Sequence, residues 1–428
     1  MFKDIKNAKF KRRMYPLLTL SLITMYYYSG LQNDHINILQ PYYASIYKWN
    51  ALTITNPVTY AAYAAIIFTF IVGTLLMKSG VVKITAGGTI ILGLATIGLA
   101  FAGNNYAVYT VSLFIVRLMV VPLQMGSAML CANWFIRLRG HALGFIAAGC
   151  PLETATLIAL MTFGVASSLG FTGTYAILGG IAVIIGILDF ALLKDMPEDC
   201  GLFPDGDDER PAEPPASTLT FKEIFRNKNS WFVVISMGFL QFIIIGVMAF
   251  FVARMKMKGV NAAVYLPALT VSALLGIACS NLLGTVSDKH GTPKASLILC
   301  CAFLLVLFPL LFLAHNTILM VCLATIGIAG ITGGTPSLCP AMTIHVFGRK
   351  NYQAANRWIY TVQNVIGAFA VLFMSAIFTA TGDLAAAYWI MIGFVVIAGI
   401  CFILLTRTPN YEKASGLQAQ AYQEPIHK

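Results

Sequence analysis

Residues 133–149 read NWFIRLRGHALGFIAAG, from Asn133 to Gly149. Two arginines, Arg137 and Arg139, sit between two long apolar runs. Trp134 and Phe135 precede them, as aromatic side chains do at a membrane–water boundary. Gly140, Gly144 and Ala148 recur every four residues, so one helical face carries small side chains alone and a second backbone can approach it closely. The segment reads as the end of one membrane-spanning helix, a tight basic turn, and the start of a closely packed second helix.

Composition extends that reading to the whole chain. Of 428 residues, 58% are hydrophobic and 11% charged, with a mean hydropathy of +0.78. Soluble domains carry about 25% charged residues. The apolar excess falls in blocks of about twenty, the length that spans a bilayer, which excludes a soluble multidomain enzyme. The net charge of +11 is held in short loops between apolar runs, the pattern of membrane topology rather than of nucleic-acid binding. The nine cysteines lie mostly inside apolar runs without metal-ligand spacing and read as small buried hydrophobes. No phosphate loop, zinc pattern or dinucleotide fingerprint occurs, so no cofactor is expected.

Spans are predicted near 15–36, 56–77, 84–103, 107–131, 141–166 and 171–193, then near 231–254, 263–286, 294–314, 317–343, 354–380 and 384–406. Lys78/Lys83, Arg137/Arg139, Lys289/Lys294 and Arg349/Lys350 fall in alternate connections, while 104–106, 167–170, 315–316 and 381–383 hold no Lys or Arg. With the basic stretch Met1–Arg13, this places both termini in the cytoplasm of a multi-pass plasma-membrane protein. Arg254, Lys256 and Lys258 are the exception, and read either as an anion-attracting vestibule or as side chains snorkelling at a helix end. The acidic, proline-rich stretch after Lys194 reads as a solvated linker, with a short amphipathic helix over 220–229. The expected units are therefore 1–194, linker 195–230, 231–410 and tail 411–428.

The halves repeat. Gly73–Lys83 (GTLLMKSGVVK) and Gly284–Lys294 (GTVSDKHGTPK) match at five of eleven positions, and Phe135-x-Arg137 parallels Phe347-x-Arg349. A repeat of about half the chain marks a duplicated six-helix bundle.

These strings carry a resemblance. Asn-Trp-Phe with its basic residues and Gly-x-Ala-x-Gly run, PEDCGLFPDGD after the sixth span, and the paired loop motifs resemble the oxalate:formate antiporter and monocarboxylate transporter branch of the major facilitator superfamily. The resemblance implies an all-α integral membrane fold of twelve transmembrane helices in two pseudo-symmetric six-helix bundles. It also implies a monomeric secondary transporter in the lipid bilayer for a small organic anion, by antiport or with protons. In this chain Ser280 stands where that branch usually has a carboxylate-binding arginine, which leaves a larger, single-carboxylate or neutral substrate open. An efflux carrier for amphipathic compounds and a non-transporting sensor are the alternatives.

Candidate residues follow from depth. Arg117 lies about ten residues into its span, near the midplane of a ~30 Å core at roughly 1.5 Å per residue. It reads as a substrate anchor, or as a structural partner of Glu153 at similar depth; Glu153 reads otherwise as a proton carrier with Asp34 as fallback. Pro122 and Gly333-Gly334-Thr335-Pro336 occupy corresponding places and predict paired helix breaks at a binding site. Tyr27, Gln32, Gln124, Tyr360, Gln363, Asn364 and Arg357 are the other expected substrate contacts. Asp288, Lys289, Arg137 and Arg139 are the expected gate, with Asp288 pairing inside its own half. Met77 replaces the acid in the first copy. Asp189, near a span end, is expected to be solvated.

Overall fold

The computed structural model describes residues 5–207, 220–313 and 317–408, and among them all regular structure is helical. The order is α1 (Ala8–Ser29), a π-helical turn (Gly30–Asp34), α2 (Ile36–Ile46), α3 (Ala51–Ser79), α4 (Val81–Ala100), α5 (Tyr106–Trp134), α6 (Arg139–Ala147), α7 (Gly149–Ala166) and α8 (Gly170–Leu192). Short 3₁₀ turns (Pro197–Cys200, Pro204–Gly206) and α9 (Phe221–Arg226) lead to α10 (Lys228–Met257), α11 (Ala262–His290), α12 (Thr292–Leu311), α13 (Thr317–Thr381) and α14 (Ala385–Thr406). Among the described residues, eleven helical stretches are long and apolar enough to cross a bilayer. The run α1–π turn–α2, whose ends are more polar, makes the twelfth crossing. The tail 411–428 and the Asp34 and Lys350 side chains lie outside the described residues.

Local chemistry sets the ends. Asn7, Asn50, Asn105 and Asn261 cap α1, α3, α5 and α11 by accepting backbone N–H bonds, satisfying donors that a helix start leaves open. Thr220 and Glu223 cap α9 reciprocally. The repeat's shared glycine is also explained: Gly80 and Gly291 turn the chain at φ 94° and 91°, where a Cβ is disfavoured.

Three expectations about the chain's path need correction. Neither Pro122 nor Pro336 breaks its helix. Both sit inside continuous α-helix, and α13 departs from helical angles only at Gly348, φ 73°. The interruptions lie instead at the π turn of the first crossing and at Ala148, between α6 and α7 of one crossing. The linker is not simply solvated, since residues 194–207 dock on the basic face. Asp195 accepts the Val82 N–H at 2.6 Å, and the Asn133 and Trp134 side chains donate to the Asp195 and Lys194 carbonyls at 3.0 Å. Asp205 accepts the N–H groups of Ile136, Arg137 and Leu138 at 3.0, 2.6 and 3.2 Å. Burial pushes the Asp205 carboxyl up, against the pull of those three donors and Arg137. Asp189 is buried at 1% exposure, because its helix face turns inward against α1 rather than toward water.

Arg254 is neither a vestibule nor a snorkelling side chain. It is fully buried, donates to the Leu310 carbonyl at 3.0 Å, pairs with Asp383, and lies over the Tyr388 ring. Lys258 reaches the same carboxylate at 3.4 Å. Burial alone would raise the Asp383 carboxyl, but the Leu384 N–H, Arg254 and Lys258 outweigh it and hold it below its ordinary range. A depressed carboxyl stabilises the fold at neutral pH and loses that contribution only as pH falls through its lowered range. Because the Asp383 side chain is 40% exposed, Asp383→Ala should cost about 1–2 kcal/mol, read as a lower melting temperature in detergent at pH 7; an unchanged melting temperature would make the cluster incidental.

Candidate functional site

A cavity of about 720 Å³ lies between the first six and the last six crossings, within the size range of small-molecule sites. Helix α1 supplies Tyr28 and Ser29, and the π turn after it Gln32; α5 supplies Gln124; α10 supplies Gln241. Helix α13 supplies Thr335, Cys339, Asn356, Tyr360, Gln363 and Asn364 from both sides of Gly348. The wall runs on to Met248, Val252 and Val371, toward the face opposite the basic loops. Among the described wall residues none is charged; their polar groups are amides, hydroxyls and the thiols of Cys150 and Cys339.

Helical rotation sorts the expected contacts. Tyr26, Tyr27 and Tyr28 follow one another at about 100° steps. The Tyr26 hydroxyl meets Thr156 Oγ1 at 3.0 Å, and Tyr27 donates to the Leu178 carbonyl at 3.1 Å. Of the three, Tyr28 walls the cavity and faces Tyr360 across the two halves, with Asn364 beside Tyr360. Gln32, Gln124, Tyr360, Gln363 and Asn364 all line the cavity, whereas Tyr27, Arg117 and Arg357 do not. Arg117 stands behind the wall, within electrostatic reach of Tyr28 and His35. Glu153, fully buried, packs against the π turn: a Cβ on Gly30 would lie 2.9 Å from Glu153 Oε1. Arg357 lies in the seam between halves. It donates to Thr74 Oγ1 at 3.0 Å, stacks 4.6 Å above Phe70, and leaves only a glycine's width at Gly73.

The basic face is shut. Gly140 and Gly144 bring the α6 backbone against Gly284 and Ser280 of α11, so closely that an added Cβ would collide at either glycine. The small-residue face of residues 140–148 thus packs across the halves. The Ser280 backbone is wedged between Gly144 and Gly333, and its side chain is fully buried and donates to the Ile277 carbonyl at 3.0 Å. Asp288 bridges the halves rather than pairing in its own. It accepts from the Gly140 and His141 N–H groups at 2.6 and 2.8 Å and meets His141 Nδ1 at 2.5 Å. A helix N-terminus carries open donors and partial positive charge, which is why an acid settles there. Lys289 is exposed, Arg137 pairs with Asp207 of the linker, and Arg139 is buried and donates to the Phe135 carbonyl. A second bolt went unread in the sequence. Arg349 donates through both Nη atoms to the two oxygens of Glu198, 3.1 Å each, tying the docked linker to the second half. Gln241 was also missed, although it is the one amide in the apolar run Trp231–Phe251, and an isolated intramembrane polar residue is itself a signal.

The sequence model of the Major Facilitator Superfamily matches residues 18–336 and 268–426. Among solved structures, the proton:xylose symporter XylE bound to 6-bromo-6-deoxy-D-glucose is similar with a TM-score of 0.74 at 12% identity, over 95% of this chain and 99% of that one. The E. coli fucose:proton symporter FucP gives 0.68 at 14% identity, over 92% and 99%. FucP in the outward conformation gives 0.68 at 14%, over 91% and 99%. No curated protein sequence matches.

Proposed function

The chain belongs to the Major Facilitator Superfamily, and from that starting point we propose that its central cavity binds a small, uncharged, hydroxyl-bearing organic solute. Membership makes it a multi-pass secondary transporter rather than an enzyme. Such proteins work by alternating access, one six-helix half rocking against the other around a midplane site. The substrate class rests on one observation, the charge-free amide and hydroxyl wall among the described residues. An ion sealed there without a counter-charge would cost several kcal/mol. A hydroxyl group both donates and accepts, which is what glutamine, asparagine and tyrosine side chains complement. The loop charge asymmetry makes the basic face cytoplasmic, so a shut basic face and a wall running to the other side correspond to an outward-open state.

A second reading keeps a small carboxylate, exchanged or carried with protons. It is supported by Arg117 lying within electrostatic reach of Tyr28: a swing of that tyrosine would open a path for the guanidinium to meet the solute as a bidentate fork. Proteoliposomes loaded for counterflow separate the two, with D-xylose and L-lactate as probes. The neutral reading expects D-xylose exchange. It expects Gln32→Ala and Gln124→Ala each to raise KM about tenfold, the loss of one neutral hydrogen bond, and Arg117→Lys to leave KM alone. Exchange of L-lactate but not D-xylose, with KM at least about tenfold higher in a well-folded Arg117→Lys protein, would replace it with the carboxylate reading.

A further inference from the structure

The cavity's second-half corner has a feature that neither substrate reading uses. Cys339 and Gln363 come from the two legs of α13 on either side of Gly348, and both line the cavity. The Cys339 thiol donates to Gln363 Oε1 at 3.2 Å. A thiol is a weak donor and a poor acceptor, so this contact orients the amide with its oxygen toward sulfur. The NH2 group is left without a hydrogen-bond partner among the described residues, although Gln363 is only 2% exposed. Thr335 Oγ1, one helical turn before Cys339 on the same face, also lacks a partner there. A buried donor left unmet destabilises the empty site, a cost removed when an oxygen atom arrives. Across the cavity Gln124 presents the opposite need, an Oε1 acceptor without a partner among the described residues.

We infer that Cys339 is a positioning residue: its thiol fixes the Gln363 amide so that the NH2 donates to a hydroxyl, carbonyl or carboxylate oxygen of the solute, while Gln124 accepts from a hydroxyl at the solute's other end. This rests on the cavity being the transport site, and it narrows the solute to one carrying an oxygen acceptor and a hydroxyl donor on opposite sides. Amines and hydrocarbons are disfavoured at the Gln363 corner because neither offers it an acceptor oxygen.

Infrared spectroscopy tests the contact without any solute. The wild-type minus Cys339→Ser difference spectrum isolates one S–H stretching band, which should lie at the low frequency of a hydrogen-bonded thiol and move up in Gln363→Leu. Counterflow of D-xylose tests the role. Cys339→Val, similar in shape but without a donor, should raise KM about tenfold with unchanged kcat and melting temperature. Cys339→Ser should keep the wild-type KM, and Cys339→Val should add nothing in a Gln363→Leu background. If L-lactate is the probe that exchanges, the same variants are read against it, since its carboxylate offers the Gln363 amide an acceptor oxygen. An S–H band unmoved by Gln363→Leu, or a wild-type KM in Cys339→Val, overturns the inference. If Gln32→Ala raises KM while Cys339→Val does not, the cavity stands and Cys339 falls. If neither variant changes KM, the cavity itself is misassigned as the transport site, and the inference falls with it.

Discussion

Asp288→Ala shifts the resting protein away from the state shut on its basic face by a factor of roughly thirty to several thousand, the effect of removing a contact worth about 2–5 kcal/mol. The carboxylate takes two backbone N–H groups and one imidazole nitrogen of α6 within 2.8 Å, and its side chain is 13% exposed. Its removal strands three donors at a seam where Gly140 and Gly284 leave no room for a compensating side chain. The same contact cannot exist once the halves part on that face, so its energy counts toward one state only, the condition for shifting a two-state equilibrium. Spin labels at Lys83 and Lys294, both exposed and on opposite halves, should report a new long-distance population in Asp288→Ala. Turnover should fall while the amount in the membrane holds. Asp288→Asn, which keeps the shape but not the charge, should lie between. A distance distribution identical to wild type would make Asp288 an ordinary loop acid, worth almost nothing.

The second large effect is on coupling. We propose Glu153 as the proton carrier, and Glu153→Gln then abolishes accumulation driven by an imposed pH gradient while counterflow exchange continues. Glu153 sits behind the π turn, against Gly30, while Tyr28, Ser29 and Gln32 on the other side of that stretch wall the cavity. One helical turn thus separates a buried carboxyl from the solute contacts. A carboxyl at that depth can exchange a proton as water reaches it from one face and then from the other. Glutamine has the same shape, so the close fit at Gly30 should survive. Accumulation with unaltered pH dependence in Glu153→Gln removes the proton role. A protein that no longer inserts or folds shows a structural one.

Much of this architecture was legible without coordinates. Blocks of about twenty apolar residues, the matched strings Gly73–Lys83 and Gly284–Lys294, and the alternation of basic loops depend on properties of single residues and short windows. The fold built from them is the one the chain has, down to the capped helix α9 and the turn between Trp134 and Arg139. The cavity wall was only partly legible: Gln32, Gln124, Tyr360, Gln363 and Asn364 stand out as amides and a phenol in apolar spans. Which of Tyr26, Tyr27 and Tyr28 turns to the cavity did not, nor did the reach of Asp288 to the other half. The docking of 194–207 and the pairing of Arg254 with Asp383 were equally hidden. The reason is physical. In a soluble helix the apolar stripe marks the inward face. In a bilayer, lipid and protein interior are alike apolar, so hydropathy has no phase from which a helix's rotation can be read. At about 100° per residue, an unknown rotation leaves every neighbouring side chain a candidate. Only the packed helices, meeting at Gly140, Gly144, Gly284 and Gly73, decide which residues face one another.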